Sequence, residues 1–377
     1  MGFVIAVIKE RRAGETRVAA TPDSVKKLIG LGAQVLVEAG AGEAAAYTDQ
    51  TYKEAGAEIV STAKAALGKA DVVFKVRAPE AAEIAGLKSG AMVVGALDPY
   101  REKDALKALA AKGATAFAME FVPRITRAQA MDILSSQANL AGYRAVIEAA
   151  EAYGRAFPMM MTAAGTVAAA KCFIMGVGVA GLQAIATARR LGAVVTATDV
   201  RPAVKEQVES LGAKFVGVED EEFKQAETAG GYAKEMSDAY KAKQAELIAS
   251  HIQKQDVVIT TALIPGRPAP KLVSKVHVES MKPGSVIVDL AVEQGGNCEL
   301  SKPGEIVTTK NGVTIVGLYN LPGRVAADAS ALYARNLVSF AGLLVKDGAL
   351  APDFEDEILK AALVAQGGKV VHPSLQS

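Results

Sequence analysis

The sequence predicts an α/β protein built as two doubly wound, parallel-sheet domains with a cleft between them. Three observations carry this. Short apolar runs alternate with helical stretches of about 10–15 residues, the pattern of parallel strands joined by crossover helices. The alternation stops at a long helical stretch and then restarts. At 377 residues, the chain has room for two or three domains of roughly 150 residues each.

The elements follow in order. Phe3–Ile8 is the first apolar run, and Thr21-Pro22-Asp23 opens a helix with Pro at its first position and an acid in its first turn. Gln34–Glu38, Asp71–Val76, Ala91–Gly95 and Thr115–Glu120 read as further strands, with a helix at Asp104–Lys112. Residues 131–155 read as one long helix linking the two domains. The second domain begins with the strand Lys171–Met175, the helix Leu182–Leu191 and the strand Val194–Asp199. Asp256–Thr261, Val286–Leu290 and Val313–Val316 supply more strands. Val325–Val345 is helical again, and the tail after it is expected to pack back on the first domain. The expected organisation is residues 1–135 plus 325–377 as one α/β domain and 140–320 as the other.

Composition narrows the function. Lys plus Arg number 42 against 41 Asp plus Glu, a balance that excludes the basic surplus of a nucleic-acid binder. The two cysteines, Cys172 and Cys298, form no CxxC, so no disulfide framework or structural metal site is expected. The three histidines all lie beyond residue 250, which limits acid–base chemistry. No signal peptide is expected at MGFVIAVIKERR. The longest uncharged piece, Cys172 to Ala188, is too short and too glycine-interrupted for a membrane span.

One motif carries chemistry. Gly176-Val-Gly178-Val179-Ala-Gly181 fits GxGxxG, with a strand before it and a helix after it. Gly176 permits the tight turn, Gly178 lets backbone approach a pyrophosphate at the helix N-terminus, and Gly181 allows close packing of helix on strand. Asp199 ends the next strand, 18 residues after Gly181, where an acid accepts hydrogen bonds from an adenosine ribose and favours NAD(H). Its neighbours Val200 and Arg201 belong to the same expected cofactor contact. The segment Thr261-Ala262-Leu263, at the end of a later strand, is expected to reach the same crevice. Both domains are therefore read as Rossmann-like, with the second binding the nucleotide.

Two further segments are not explained by folding alone. Arg124 to Gln137 gathers polar groups at the domain junction; read as helix, it places Asp132, Ser135 and Ser136 on one face. Gly230-Gly231-Tyr232 lies in a charged stretch without strand pattern and reads as a hinged lid.

Together these residues resemble the NAD(H)-binding component of the proton-translocating nicotinamide nucleotide transhydrogenases, along essentially the whole chain. PRITRAQAMDILSSQANLAGYRAV and ETAGGYAKEM are the most specific marks, joined by KERRAGETRVAATP, MMMTAAGTV, TTALIPGRPAP and MKPGSVIVDLAVEQGGNCELS. The opening and the AVEQGGN stretch are similar to alanine dehydrogenases as well. The resemblance implies an enzyme subunit that binds NADH and passes hydride to NADP+ on an NADP(H)-binding beta subunit, with a membrane-embedded subunit coupling this to proton movement. It implies a homodimer at the cytoplasmic face of the membrane, and no metal. It implies Arg124, Gln129, Asp132 and Ser135 on the nicotinamide side, Gln129 nearest the NADP(H), and Tyr232 and Met236 on a loop that closes over the nucleotide. The alternatives are a soluble NAD-dependent, alanine-type amino-acid dehydrogenase and a nucleotide-sensing module without turnover. Against the first, no histidine precedes residue 251 and Glu293 stands where the dehydrogenases have Asp. Lys75 and Arg17 remain in matching places, with Lys75 expected to pair with a carboxylate.

Overall fold

In a computed structural model, residues 2–224 and 236–376 are described. They divide into two compact units, Met1–Gln137 with Pro322–Ser377, and Ala138–Leu321. Each is α/β, with a mainly parallel sheet at its centre.

The first unit is built on strands β1 (Phe3–Val7), β2 (Ala33–Glu38), β3 (Glu58–Val60), β4 (Val72–Lys75), β5 (Met92–Gly95) and β6 (Thr115–Ala118), ordered β6-β5-β4-β1-β2-β3 and all parallel. Leu363–Gln366 adds antiparallel beyond β6, and Lys369–Val370 pairs with it. These strands are short and apolar without alternation because helices cover both faces of the sheet. One core packs Ile5, Val7, Phe74 and Phe117 against the helix Ala326–Leu344; the other packs Ala6, Ile8, Val73 and Val93 under Leu106 and Leu109. The helix Pro22–Gly30 starts where its capping residues say: Thr21 accepts the Ser24 N–H, and Ser24 returns a bond from the Thr21 N–H.

The strand expected over Thr115–Glu120 stops at Ala118, and Met119–Phe121 forms a single 3-10 turn. The Glu120 carboxylate accepts the Leu97 and Asp98 N–H groups at 3.2 and 2.7 Å, in place of a backbone ladder past β5. The helix expected over 131–155 runs Ile133–Ala152, preceded by a 3-10 turn at Thr126–Met131.

The second unit carries β7 (Lys171–Met175), β8 (Val194–Thr198), β9 (Lys214–Phe215), β10 (Val257–Thr260), β11 (Val286–Asp289), β12 (Ile306–Thr308) and β13 (Thr314–Val316). Their order is β9-β8-β7-β10-β11-β13-β12, parallel except for β12. The chain winds one way from β7 to β9 and the other way from β10 onward. The switch point lies between β7 and β10. A separate two-stranded hairpin, Met160–Thr162 with Gly165–Val167, stands on this unit with Met160 and Met161 exposed.

Candidate functional site

In a doubly wound sheet the ligand crevice opens at the carboxyl ends of the strands flanking the switch point. Here those ends are Gly176 after β7 and Thr261 after β10. Gly176 has φ +99°, and a Cβ on it would meet Thr261 Oγ1 at 2.6 Å. A Cβ on Gly181 would lie 2.0 Å from the Gly176 carbonyl oxygen. Folding therefore requires both of these glycines. Gly178 differs: its backbone is extended, φ −80° and ψ −165°, and a Cβ on it would meet nothing within 4 Å. It sits exposed at the N-terminus of the helix Val179–Arg190, where no side chain caps the first turn. Uncapped N–H groups beside a glycine that the fold itself does not demand fit the pyrophosphate of a dinucleotide. Val179 opens that helix and is exposed.

Asp199 follows β8, and the structure gives its carboxylate two local duties. It accepts the Val177 N–H at 2.7 Å, fixing the turn between Gly176 and Gly178. It also holds Arg201, through the backbone N–H and Nε to Oδ1 and Nη2 to Oδ2, each at 2.9 Å. The acid stands at the expected place, but Arg201 sits across it as a two-pronged partner; Val200 between them is exposed.

Thr261 closes the other side. Its hydroxyl donates to the Gly176 carbonyl at 2.9 Å. Ala262 is half-buried, and the Leu263 side chain is exposed. Behind them lie two residues that the sequence reading did not single out, Asp289 and Asn297. Asn297 Oδ1 accepts the Ala262 N–H at 2.9 Å, and its Nδ2 donates to the Ala262 carbonyl at 2.8 Å. The available signal was an Asp ending β11, as Asp199 follows β8, with a Gly-Gly-Asn a few residues later.

The junction residues belong to the first unit. Arg124 and Gln129 are exposed, Gln129 on the 3-10 turn, and neither side chain has a hydrogen bond among the described residues. Asp132 does not share a helical face with Ser135 and Ser136, as the spacing implies. It caps the helix: its carboxylate accepts the Ser135 N–H at 2.8 Å and the Ser135 hydroxyl at 2.5 Å, and its carbonyl accepts the Ser136 N–H. The Ser136 hydroxyl donates instead to Asn336. Gly231 and Tyr232 lie outside the described residues; Met236, at the end of the same run, is buried in the second unit's core.

The first unit also buries a charged cluster. Lys75, 1% exposed, places Nζ 3.1 Å from both Glu10 and Glu83. Arg17 grips Glu15 at 2.7 Å through Nε and through Nη2, and its Nη1 donates to Gln137. Burial alone would raise the Glu15 carboxyl, but Arg17 and Arg77 outweigh it and bring it down to about 2. The histidines serve local structure: His251 bonds Thr196 and Gln255, His277 accepts the Ser274 N–H of its helix cap, and His372 stacks on Phe121. Among the described residues no cluster of metal-ligating side chains occurs, and no helix is long and apolar enough to cross a membrane.

The strand order, the glycine turn and the acid after β8 define a Rossmann-type dinucleotide-binding protein. Comparison with known proteins agrees. Residues 6–141 match the family described as alanine dehydrogenase/PNT, N-terminal domain, and residues 145–373 its C-terminal domain; the chain belongs to this family. It is 58% identical to an NAD(P) transhydrogenase subunit alpha chain of Rhodospirillum rubrum, covering 98% of each chain. The transhydrogenase crystal structure from Sinorhizobium meliloti superposes with a TM-score of 0.90 at 58% identity, over 98% of this chain and 100% of that one. An L-alanine dehydrogenase structure superposes with a TM-score of 0.84 at 28% identity, over 99% and 98%.

Proposed function

We propose that this chain is the NAD(H)-binding component of a proton-translocating transhydrogenase, from which hydride passes to NADP+ held by a beta subunit, with a membrane-embedded subunit completing the complex. It works as a homodimer peripheral to the cytoplasmic face of the membrane. The nicotinamide, when bound, supplies the hydride carrier. The chain supplies the rest: N–H groups around Gly178 for the pyrophosphate, Asp199 for the ribose once Arg201 swings aside, and Thr261 to Leu263 along the crevice. Arg124, Gln129, Asp132 and Ser135 are assigned to the nicotinamide side, with Gln129 towards the NADP(H) and Tyr232 on the closing loop.

The observation that carries the proposal is a dinucleotide turn with no histidine assigned to it, all three being engaged elsewhere in the fold. Hydride exchange between two nicotinamides moves no proton in that step, so it needs positioning and exclusion of water rather than an acid or base. Oxidising an amino acid needs proton handling. The cations that the dehydrogenase reading would use, Lys75 and Arg17, are already held by internal carboxylates. The names of the 58%-identical relatives support the same reading.

The test is reconstitution. The chain mixed with an NADP(H)-binding partner domain is expected to pass hydride between nucleotide analogues. Alone it is expected to bind NADH and to leave NAD+ unreduced with alanine. Amino-acid-dependent reduction of NAD+, or binding without transfer in the presence of the partner, would replace this proposal with one of the two alternatives.

A further inference from the structure

The nine residues after Thr261 contain three prolines and form no helix or strand. A proline-rich segment has few backbone donors, so it cannot hold its own shape through a ladder. Something else must fix where Ala262 and Leu263 lie. The residue that does so is Asn297, which is 0% exposed.

Its side chain grips Ala262 at both ends of the residue, accepting the N–H at 2.9 Å and donating to the carbonyl at 2.8 Å. The second amide proton goes to the Pro270 carbonyl at 2.8 Å, so one side chain ties the beginning and the end of the segment. Its backbone does the same work: the Asn297 carbonyl accepts from Leu272 and Val273. Asn297 is itself held from below. Asp289, 1% exposed, accepts the Asn297 N–H at 3.1 Å, and also those of Ala291 and Cys298 and the hydroxyls of Thr260 and Ser301. Gly295 and Gly296, with φ +96° and +75°, turn the chain back so that Asn297 can reach Ala262, and Lys271 satisfies their carbonyls. From the end of β11 to the first glycine of the fingerprint the bonds run without a break: Asp289 to Asn297, Asn297 to Ala262, and the adjacent Thr261 hydroxyl to Gly176.

We infer that Asn297 is a positioning residue for the dinucleotide: through Ala262 it sets the wall of the crevice facing the glycine turn, without itself touching the ligand. This rests on the proposed NAD(H) site. The physical ground is that a buried amide with both protons and its oxygen engaged has one low-energy orientation, and the groups it releases on truncation are left without partners.

The test uses the full chain and three variants. Asn297→Ala removes the clamp, and Asn297→Ser keeps a shorter hydroxyl in case the first folds poorly. Asn311→Ala is the control: Asn311 sits in the same unit and also clamps a loop, donating to the Val278, Glu279 and Met281 carbonyls, but between β12 and β13. NADH affinity is measured by titration, melting temperature by calorimetry, and amide exchange over 259–270 by mass spectrometry. Asn297→Ala is expected to lose tenfold or more in NADH affinity and in protection of the 261–267 amides, with Asn297→Ser between it and wild type. Asn311→Ala is expected to melt lower while binding NADH within twofold of wild type. Wild-type NADH affinity in Asn297→Ala or in a folded Asn297→Ser would overturn the inference alone, as would equal losses in Asn297→Ala and Asn311→Ala. A wild-type chain that does not bind NADH would overturn the proposed function, and the inference with it.

Discussion

Gly181 lies so close against Gly176 that its first side-chain carbon would stand 2.0 Å from the Gly176 carbonyl oxygen, while the same carbon on Gly178 would touch nothing. The glycines of one motif therefore answer to different constraints, and substitution should separate them. Gly181→Ala is expected to destabilise the fold by ~3 kcal/mol or more, the top of the usual range for overpacking. Gly178→Val is expected to cost about 1 kcal/mol of stability, as an N-cap glycine replaced by an apolar residue, yet to abolish measurable NADH binding. Thermal melts and NADH titration on the same two proteins decide it; a Gly178→Val chain that binds normally would remove the pyrophosphate assignment.

Asp199 has two tasks, bracing Val177 and holding Arg201. Asp199→Ala is expected to weaken NADH binding by ~1.5–3 kcal/mol, the range for a hydrogen bond to a charged group. It should also speed exchange of the Val177 amide without ligand. Calorimetric binding unchanged by the substitution would show that the carboxylate serves only the turn.

Gln129 is exposed on a 3-10 turn and Arg124 is exposed just before it. Hydride transfer tolerates little misplacement, with losses on the order of 100-fold for small shifts. Gln129→Asn is therefore expected to keep NADH affinity and slow transfer to a partner-bound NADP analogue by about tenfold or more. Arg124→Ala is expected to lower both, since a cation can pair directly with the nucleotide's phosphates. Single-turnover kinetics in the reconstituted complex distinguishes the two; wild-type transfer by Gln129→Asn would give that residue another role.

Burial pushes the Glu120 carboxyl up to about 7, against the Asp98 and Leu97 amides that favour its charged form. A folded pKa above the ordinary 4.5 favours the native state at low pH. The contribution is complete below pH 4.5 and is lost as pH rises through about 7. One pKa unit corresponds to ~1.4 kcal/mol, so the whole effect is bounded at about 3 kcal/mol. The melting temperature of Glu120→Gln relative to wild type is expected to rise between pH 5 and pH 8. A difference that stays constant across that interval would show that Glu120 ionises normally.

Much of this is legible in the sequence, for reasons that differ by element. Strands such as Lys171–Met175 can be read because they are buried on both faces and carry no alternation to confuse. The glycine turn can be read because a positive φ at Gly176 and the contact at Gly181 leave no other residue type possible. Asp132 reads as a member of a helical face because spacing does not say where a helix begins; the 3-10 turn before it makes it the cap. Asp199 stands where the motif puts it, but its hold on Arg201 depends on a side-chain fork that proximity in sequence only hints at. Asn297 escapes the sequence reading because its partner lies 35 residues away and the contact is a pair of hydrogen bonds, which leave no periodicity.

The sheet of the first unit is finished by residues from the other end of the chain: Leu363 and Ala365 pair with Phe117 and Ala116, and the Tyr333 hydroxyl bridges the Ala96 N–H and the Lys75 carbonyl. The second unit, Ala138–Leu321, is one continuous stretch. A ribosome therefore delivers everything the second unit needs before it delivers what closes the first. While the intervening residues are made, β6 keeps an unpaired strand edge, the kind of surface that recruits other chains. Closing it means joining segments about 250 residues apart, a long-range contact of the sort that slows folding. A substitution at Leu363 or Ala365 thus acts on a sheet begun at Phe3, and its effect should fall on the yield of folded chain before it falls on the nucleotide site.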